Sequence, residues 1–176
     1  ESVKDTVANI KANEDVDMIV CISHSGMDPN EEKSEDEILA KAVPELDLIV
    51  SGHTHTKLEE PIRHGNTYIV SCAEYGKYLG DMTMVQNGAG RWNITEYELV
   101  PITPEIEKDA NTQNAVDGFM ALVNEKYLAQ FGYTKDQILC TNEVPFASLR
   151  DIYDVHEELN LGSIIADAYA YAVDHV

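Results

Sequence analysis

The sequence predicts an α/β fold whose opening part is built on a parallel sheet, and three observations carry that prediction. Two short apolar runs, Met18-Ile19-Val20-Cys21-Ile22 and Leu46-Asp47-Leu48-Ile49-Val50, flank an amphipathic helical stretch. Strand, helix, strand at this spacing is a βαβ unit, whose strands run parallel through a right-handed crossover. Imidazoles follow both runs: His24-Ser25-Gly26 after the first, Ser51-Gly52-His53-Thr54-His55-Thr56 after the second.

Taken in order, residues 1–15 read as the end of a helix, with Val3, Val7 and Ile10 at helical spacing. Residues 17–23 read as a strand covered on both faces. Ser34-Glu35-Asp36-Glu37 matches a capping box, opening a helix to about Ala42 that buries Ile38, Leu39 and Ala42 before Pro44 stops it. Beyond Thr56 the pattern turns antiparallel. His64-Gly65-Asn66 marks a turn before a strand at 67–71, and strands at 81–86 and 92–100 flank the hairpin loop Asn87-Gly88-Ala89-Gly90. A long helix is expected over 105–131, with Val116, Phe119, Met120, Val123, Tyr127 and Phe131 on one face and Gly132 as its stop. A strand-like 137–140, an extended 148–155 and a helix over 161–176 follow, the last burying Leu161, Ile164, Ile165, Ala168 and Ala172.

Composition narrows the function. The chain has 176 residues, 32 acidic against 12 basic, for a net charge of −20. That balance excludes binding to nucleic-acid backbones or anionic membrane surfaces, which need clustered Lys and Arg. It leaves room for an anionic substrate where bound divalent ions reverse the local charge. Cys21, Cys72 and Cys140 sit in apolar contexts and read as small buried hydrophobes with free thiols. No apolar run reaches the ~18 residues of a membrane span, and no signal peptide opens the chain. Glu1 at the start and a helix running to the last residue suggest a piece of a longer protein.

The chemistry concentrates at the strand ends. Parallel strands finish on the same edge of a sheet, and open α/β sheets hold their ligands beyond those ends. His24 and His53 each follow such a strand, so topology brings them together. Imidazole suits Zn, Cu, Fe and Ni, and an H-x-H pair in an irregular turn presents its rings to one ion or to two adjacent ones. His64 reads as a solvated turn residue, and His156 and His175 have no partner in sequence. Asp28 and Asp81 are explained by capping or turn formation. The chain carries no G-x-S-x-G elbow, P-loop or G-x-G-x-x-G.

SGHTHT after one buried strand and SHSG after the preceding one resemble the second half of a calcineurin-like metallophosphoesterase domain. Glu74-Tyr75-Gly76-Lys77-Tyr78-Leu79-Gly80 and the stretch from Glu157 to Ala168 narrow the resemblance to the 5′-nucleotidase and 2′,3′-cyclic-nucleotide phosphodiesterase family. The resemblance implies an α/β sandwich with mixed sheets at 1–103, a connector helix at 104–133, and at 134–176 the start of a second α/β domain. It implies that His24 and His53 ligate one metal of a two-metal centre and His55 the other. The ions would be two of Zn, Mn, Fe or Co, the substrate a nucleotide or related phosphoester, and the location extracytoplasmic. The family's upstream D-x-H, G-D-x-x-D and G-N-H-[DE] segments supply its remaining ligands and catalytic His, and none of the three is expected in this chain. The isolated chain is therefore expected to be inactive, with no catalytic residue of its own. A non-catalytic metal- or nucleotide-binding module and a sulfur-ester hydrolase of the same family are the alternatives.

Overall fold

The two apolar runs become β1 (Val20–Ser23) and β2 (Leu48–Ser51), joined through the helix α2 (Glu35–Ala42). They pair parallel and in register, Val20 opposite Leu48 and Ser23 opposite Ser51. β4 (Thr67–Val70) extends the sheet parallel to β2, and β3 (Ile62–His64) closes it antiparallel to β4, in the order β1-β2-β4-β3. The computed structural model describes residues 1–175, divided between Glu107 and Lys108 into two units.

The first unit is layered on both faces of this sheet. On one side the fully buried Ile49 and Ile69 pack with Met27, Ala40, Val43, Leu46 and Val7 of α1 (Ser2–Asn13). On the other, Leu48, Tyr68 and Val70 meet Met82, Met84, Ile94 and Tyr97 of a long hairpin, β5 (Tyr78–Gln86) and β6 (Trp92–Pro101). Burying a Leu or Ile side chain is worth about 1.5–3 kcal/mol, so the two clusters supply the unit's main stabilisation. The arrangement is the expected mixed α/β architecture.

Five expectations differ from the structure of this unit and of the cysteines. β1 is the sheet's edge and is not covered on both faces: Ile22 is 88% exposed, because the hairpin packs over β2 and β4 only. β4 is parallel to β2, because the chain crosses back before β4 and leaves β3 as the sole antiparallel member. α2 turns Asp36, Glu37 and Ala40 inward and leaves Ile38 and Ala42 exposed. Ser34 is its N-cap but makes no side-chain cap bond, and the Glu37 carboxylate bonds His64 in place of closing a capping box. Of the cysteines, Cys72 and Cys140 are exposed, and Cys21 is half-buried with its thiol pushed up by burial and then by Asp36.

The second unit holds α3 (Ala110–Lys126), a single 3-10 turn (Leu128–Phe131), α4 (Leu149–Asp154) and α5 (Asn160–Asp174). α3 starts five residues later than 105, at the Asp109 cap, and Gly132 ends the 3-10 turn with φ 73° as expected. Its predicted apolar face is largely exposed, Phe119 and Tyr127 among it. Residues 137–140 form no strand, and the stretch expected to be extended is α4, opened by a Ser148–Asp151 capping box. In α5 the predicted buried stripe is open, with Ile164 and Ile165 about half exposed. Val176, the last residue of that expected helix, lies outside the described residues.

Asp109 accepts from the Thr112 backbone N–H at 2.8 Å. That bond, then the Thr112 hydroxyl, holds the Asp109 carboxyl below its ordinary range. A carboxyl depressed on folding contributes above its unfolded value and loses that contribution as pH falls through the folded one. Far-UV circular dichroism should therefore show α3 unravelling below about pH 4. Asp109→Asn, which caps without titrating, should lack that part of the transition.

Candidate metal centre

The register of β1 and β2 decides where the histidines emerge. Because Ser23 lies opposite Ser51, His24 and Gly52 leave the sheet side by side. A Cβ on Gly52 would sit 3.2 Å from His24 Nδ1, so a glycine there lets the imidazole lie against the end of β2. The His24 and His53 rings meet edge to face, with centroids 5.1 Å apart. The two loops also clasp each other. The Met27 N–H donates to Thr54 Oγ1 at 3.0 Å, and Gly26, at φ +94°, leaves room for the Thr54 methyl.

His53 (φ 68°) and His55 (φ 56°) both occupy the left-handed region, as do Ala73 (φ 63°) and Tyr75 (φ 59°) in the neighbouring segment. Such residues cost on the order of 1 kcal/mol each and persist where the surroundings over-determine them. The surroundings here are specific. Ala73 N–H and the Ser71 hydroxyl both donate to the Thr56 carbonyl, at 3.1 and 2.7 Å. The His55 ring meets the Tyr75 ring at 5.2 Å, edge to face. Glu74 beside it pairs with Lys77, which holds its carboxyl below the ordinary range, and His55 adds to the same effect.

Among the described residues the hydrogen-bonded imidazoles are those of His64 and His175, so the rings of His24, His53 and His55 keep free nitrogens. All three are exposed. Two imidazoles on one tetrahedral ion, each nitrogen about 2.0–2.1 Å from it, place their centroids roughly 5 Å apart. The His24–His53 pair meets that requirement, and His55 faces Tyr75. The donors fit a transition-metal ion.

A second grouping brings ligand atoms of Glu31, Glu37 and His64 within 4.8 Å of one another. Its polar atoms already have partners: His64 Nε2 lies 2.7 Å from Glu37 Oε2, and Lys41 pairs with Glu31. It pins α2 to β3. His64 is thus a half-buried strand residue and not a solvated turn residue, a fact hidden in the sequence because its partner lies 27 positions away. His175 stacks on Tyr171. Asp28 forms a turn with the Asn30 N–H, as expected, whereas Asp81 lies within β5 opposite Glu98. The expectation that no D-x-H is present is corrected: Asp154-Val155-His156 is one, at the end of α4 in the second unit and downstream of the three histidines.

The residue that sequence reasoning missed is Asp36. Read as a helix-opening acid, it is instead fully buried and accepts hydrogen bonds from Ser23 Oγ at 2.5 Å and from Ser51 Oγ.

With this geometry in place, similarity to known proteins becomes informative. No family model matches the chain. A trifunctional nucleotide phosphoesterase of Bacillus subtilis is 28% identical over 172 residues, 95% of this chain and 11% of that protein. A 5′-nucleotidase of Vibrio cholerae is 31% identical over 139 residues, 64% of this chain and 25% of its own length. Among solved structures, the Thermus thermophilus sulfate thiohydrolase SoxB, in complex with glycerol, matches 70% of this chain and 21% of that one, at 26% identity and TM-score 0.54. The chain spans 11%, 16% and 32% of the first curated relatives it matches. The two curated relatives are named as a nucleotide phosphoesterase and a 5′-nucleotidase, and the solved structure as a sulfate thiohydrolase. Over most of its length the chain is similar to proteins named 5′-nucleotidase or 5′-nucleotidase-related.

The clasp between the loops yields a stability test. A Cβ at Gly26 would lie 2.5 Å from Thr54 Cγ2, on a backbone that L-residues rarely adopt. Gly26→Ala should lower unfolding free energy by about 1–3 kcal/mol in thermal melts. Gly88→Ala, in open space and without a positive φ, should change it by no more than roughly 0.5 kcal/mol.

Proposed function

We propose that the chain is the C-terminal part of a metal-dependent phosphoesterase domain (1–103), followed by a connector (104–133) and the opening of a second domain (134–176). In this reading His24, His53 and His55 are its contribution to a two-metal centre that hydrolyses a nucleotide phosphomonoester or cyclic diester. The observation that carries it is the His24–His53 pair, set by in-register parallel strands at a spacing suited to one ion.

When bound, two divalent ions, Zn, Mn, Fe or Co, would supply water activation and Lewis-acid stabilisation of phosphoryl charge. The chain's own residues do the positioning. β1 and β2 deliver nitrogen donors from two strand ends, and Gly52 and Gly26 let the two loops close. The Ser71 and Ala73 bonds to Thr56 hold the His55 turn in its left-handed backbone. With a net charge of −20, the chain needs cations in the site to admit an anionic substrate.

The phosphoesterase relatives support nucleotide chemistry, and the sulfate thiohydrolase match supports a second reading, hydrolysis of a sulfur ester by the same site. An extracytoplasmic location is supported by relatives that include a snake venom 5′-nucleotidase. No helix among the described residues is long and apolar enough to cross a membrane.

Turnover by the intact parent protein on 5′-, 3′- and cyclic nucleotides, with Mn or Zn, tests the proposal. His24→Ala and His53→Ala should each lower kcat/KM by at least roughly 100-fold, the upper end of what losing an outer-shell partner costs, while leaving Tm unchanged. The 176-residue chain alone should bind metal weakly and show negligible turnover. Robust hydrolysis by the chain alone, or full activity in both variants, would overturn the reading. Metal binding without hydrolysis by the intact parent would favour a binding module.

A further inference from the structure

Asp36 is the one acidic side chain of the first unit with 0% exposure. Among the described residues no Lys, Arg or His pairs with it. Its partners are two hydroxyls, Ser23 Oγ at 2.5 Å and Ser51 Oγ. Burying a carboxylate without a counter-charge is costly. Its place in the first turn of α2 offsets part of that cost through the helix dipole. A fold that needed only packing here would be served by an apolar side chain of similar volume.

Its location gives the carboxylate a different use. Ser23 and Ser51 are the final residues of β1 and β2, opposite one another in register. His24 follows the first directly, and Gly52-His53 follows the second. The Asp36 backbone N–H also donates to the Gly26 carbonyl at 3.1 Å. Ser25 N–H donates to Ser23 Oγ at 3.2 Å, so the same hydroxyl steadies the loop just beyond His24. One residue therefore grips both strand ends and the loop that clasps Thr54.

We propose that Asp36 is a positioning residue of the metal centre. Through the Ser23 and Ser51 hydroxyls it fixes the separation of the strand ends that carry His24 and His53. The inference rests on the metal-centre reading of those histidines. It goes beyond that reading by assigning the centre a buried carboxyl anchor that touches no metal itself.

Mn²⁺ binding to the intact parent protein, measured by calorimetry with the Mn²⁺ electron paramagnetic resonance line shape and the metal-free Tm alongside, tests it. Asp36→Asn keeps the shape and one acceptor oxygen but removes the charge. It should weaken Mn²⁺ binding roughly 10–100-fold, the usual cost of losing an outer-shell partner, and alter the line shape. Ser23→Ala and Ser51→Ala should each show part of the effect, and together most of it. Should Asp36→Asn fail to fold, the double serine variant decides alone, since it keeps the carboxylate and removes its grip. Wild-type Mn²⁺ affinity and line shape in a folded Asp36→Asn, or in the double serine variant, overturns the proposal. His53→Ala separates the two failures: if it abolishes binding while Asp36→Asn does not, only Asp36's role falls. If His24→Ala and His53→Ala also leave binding unchanged, the metal-centre reading falls first and this one with it.

Discussion

The parallel pairing of β1 with β2, which ends with Ser23 opposite Ser51, is the constraint on which the candidate site depends. Side chains alternate faces along a strand, so a slip of one residue would send every side chain of β1 to the other side of the sheet. It would also separate the two serines that share the Asp36 carboxylate and carry His24 away from Gly52. On the β1 side the half-buried Cys21, opposite Ile49 in register, packs with Ile19 against the cluster that holds the fully buried Ile49 and Ile69. The apolar core that makes the sheet thus also sets the spacing of the polar groups at its rim.

The rim itself is built from features that oppose stability. Four non-glycine residues in the left-handed region, His53, His55, Ala73 and Tyr75, sit in two adjoining loops. A carboxylate is buried on hydroxyls alone, and exposed imidazoles lie against one another without hydrogen-bond partners. Each costs free energy that the two core clusters offset. Local strain of this kind gathers where a constellation must be held in one geometry before its ligand arrives. The Glu31–Glu37–His64 grouping is the useful contrast: its polar atoms are already partnered, His64 with Glu37 and Lys41 with Glu31, and it ties α2 to β3.

What could be read in the sequence follows from how local each cause is. The βαβ unit was visible because strands inside a parallel sheet read as continuous apolar runs bounded by turn residues. The His24–His53 juxtaposition followed from that topology alone. The β5–β6 hairpin was visible in its Asn87–Gly90 loop. The parallel placement of β4 was not, because turn signals report the local β3–β4 reversal and not which strand β4 joins on its other side. The inward roll of α2 was hidden for the same reason: Asp36 and Glu37 resemble ordinary first-turn acids until Ser51 and His64 meet them. The second unit misled most. α4 owes its start to a Ser148–Asp151 capping box inside a stretch whose β-branched and aromatic residues favour extension.

The central claim is that β1 and β2 present His24 and His53 to a single metal ion. Anomalous diffraction from crystals of the Zn-loaded protein tests it most directly. A peak about 2.0–2.1 Å from an imidazole nitrogen of both histidines is the predicted result. Zn bound only among Glu31, Glu37 and His64, with none at the strand-end histidines, would contradict it.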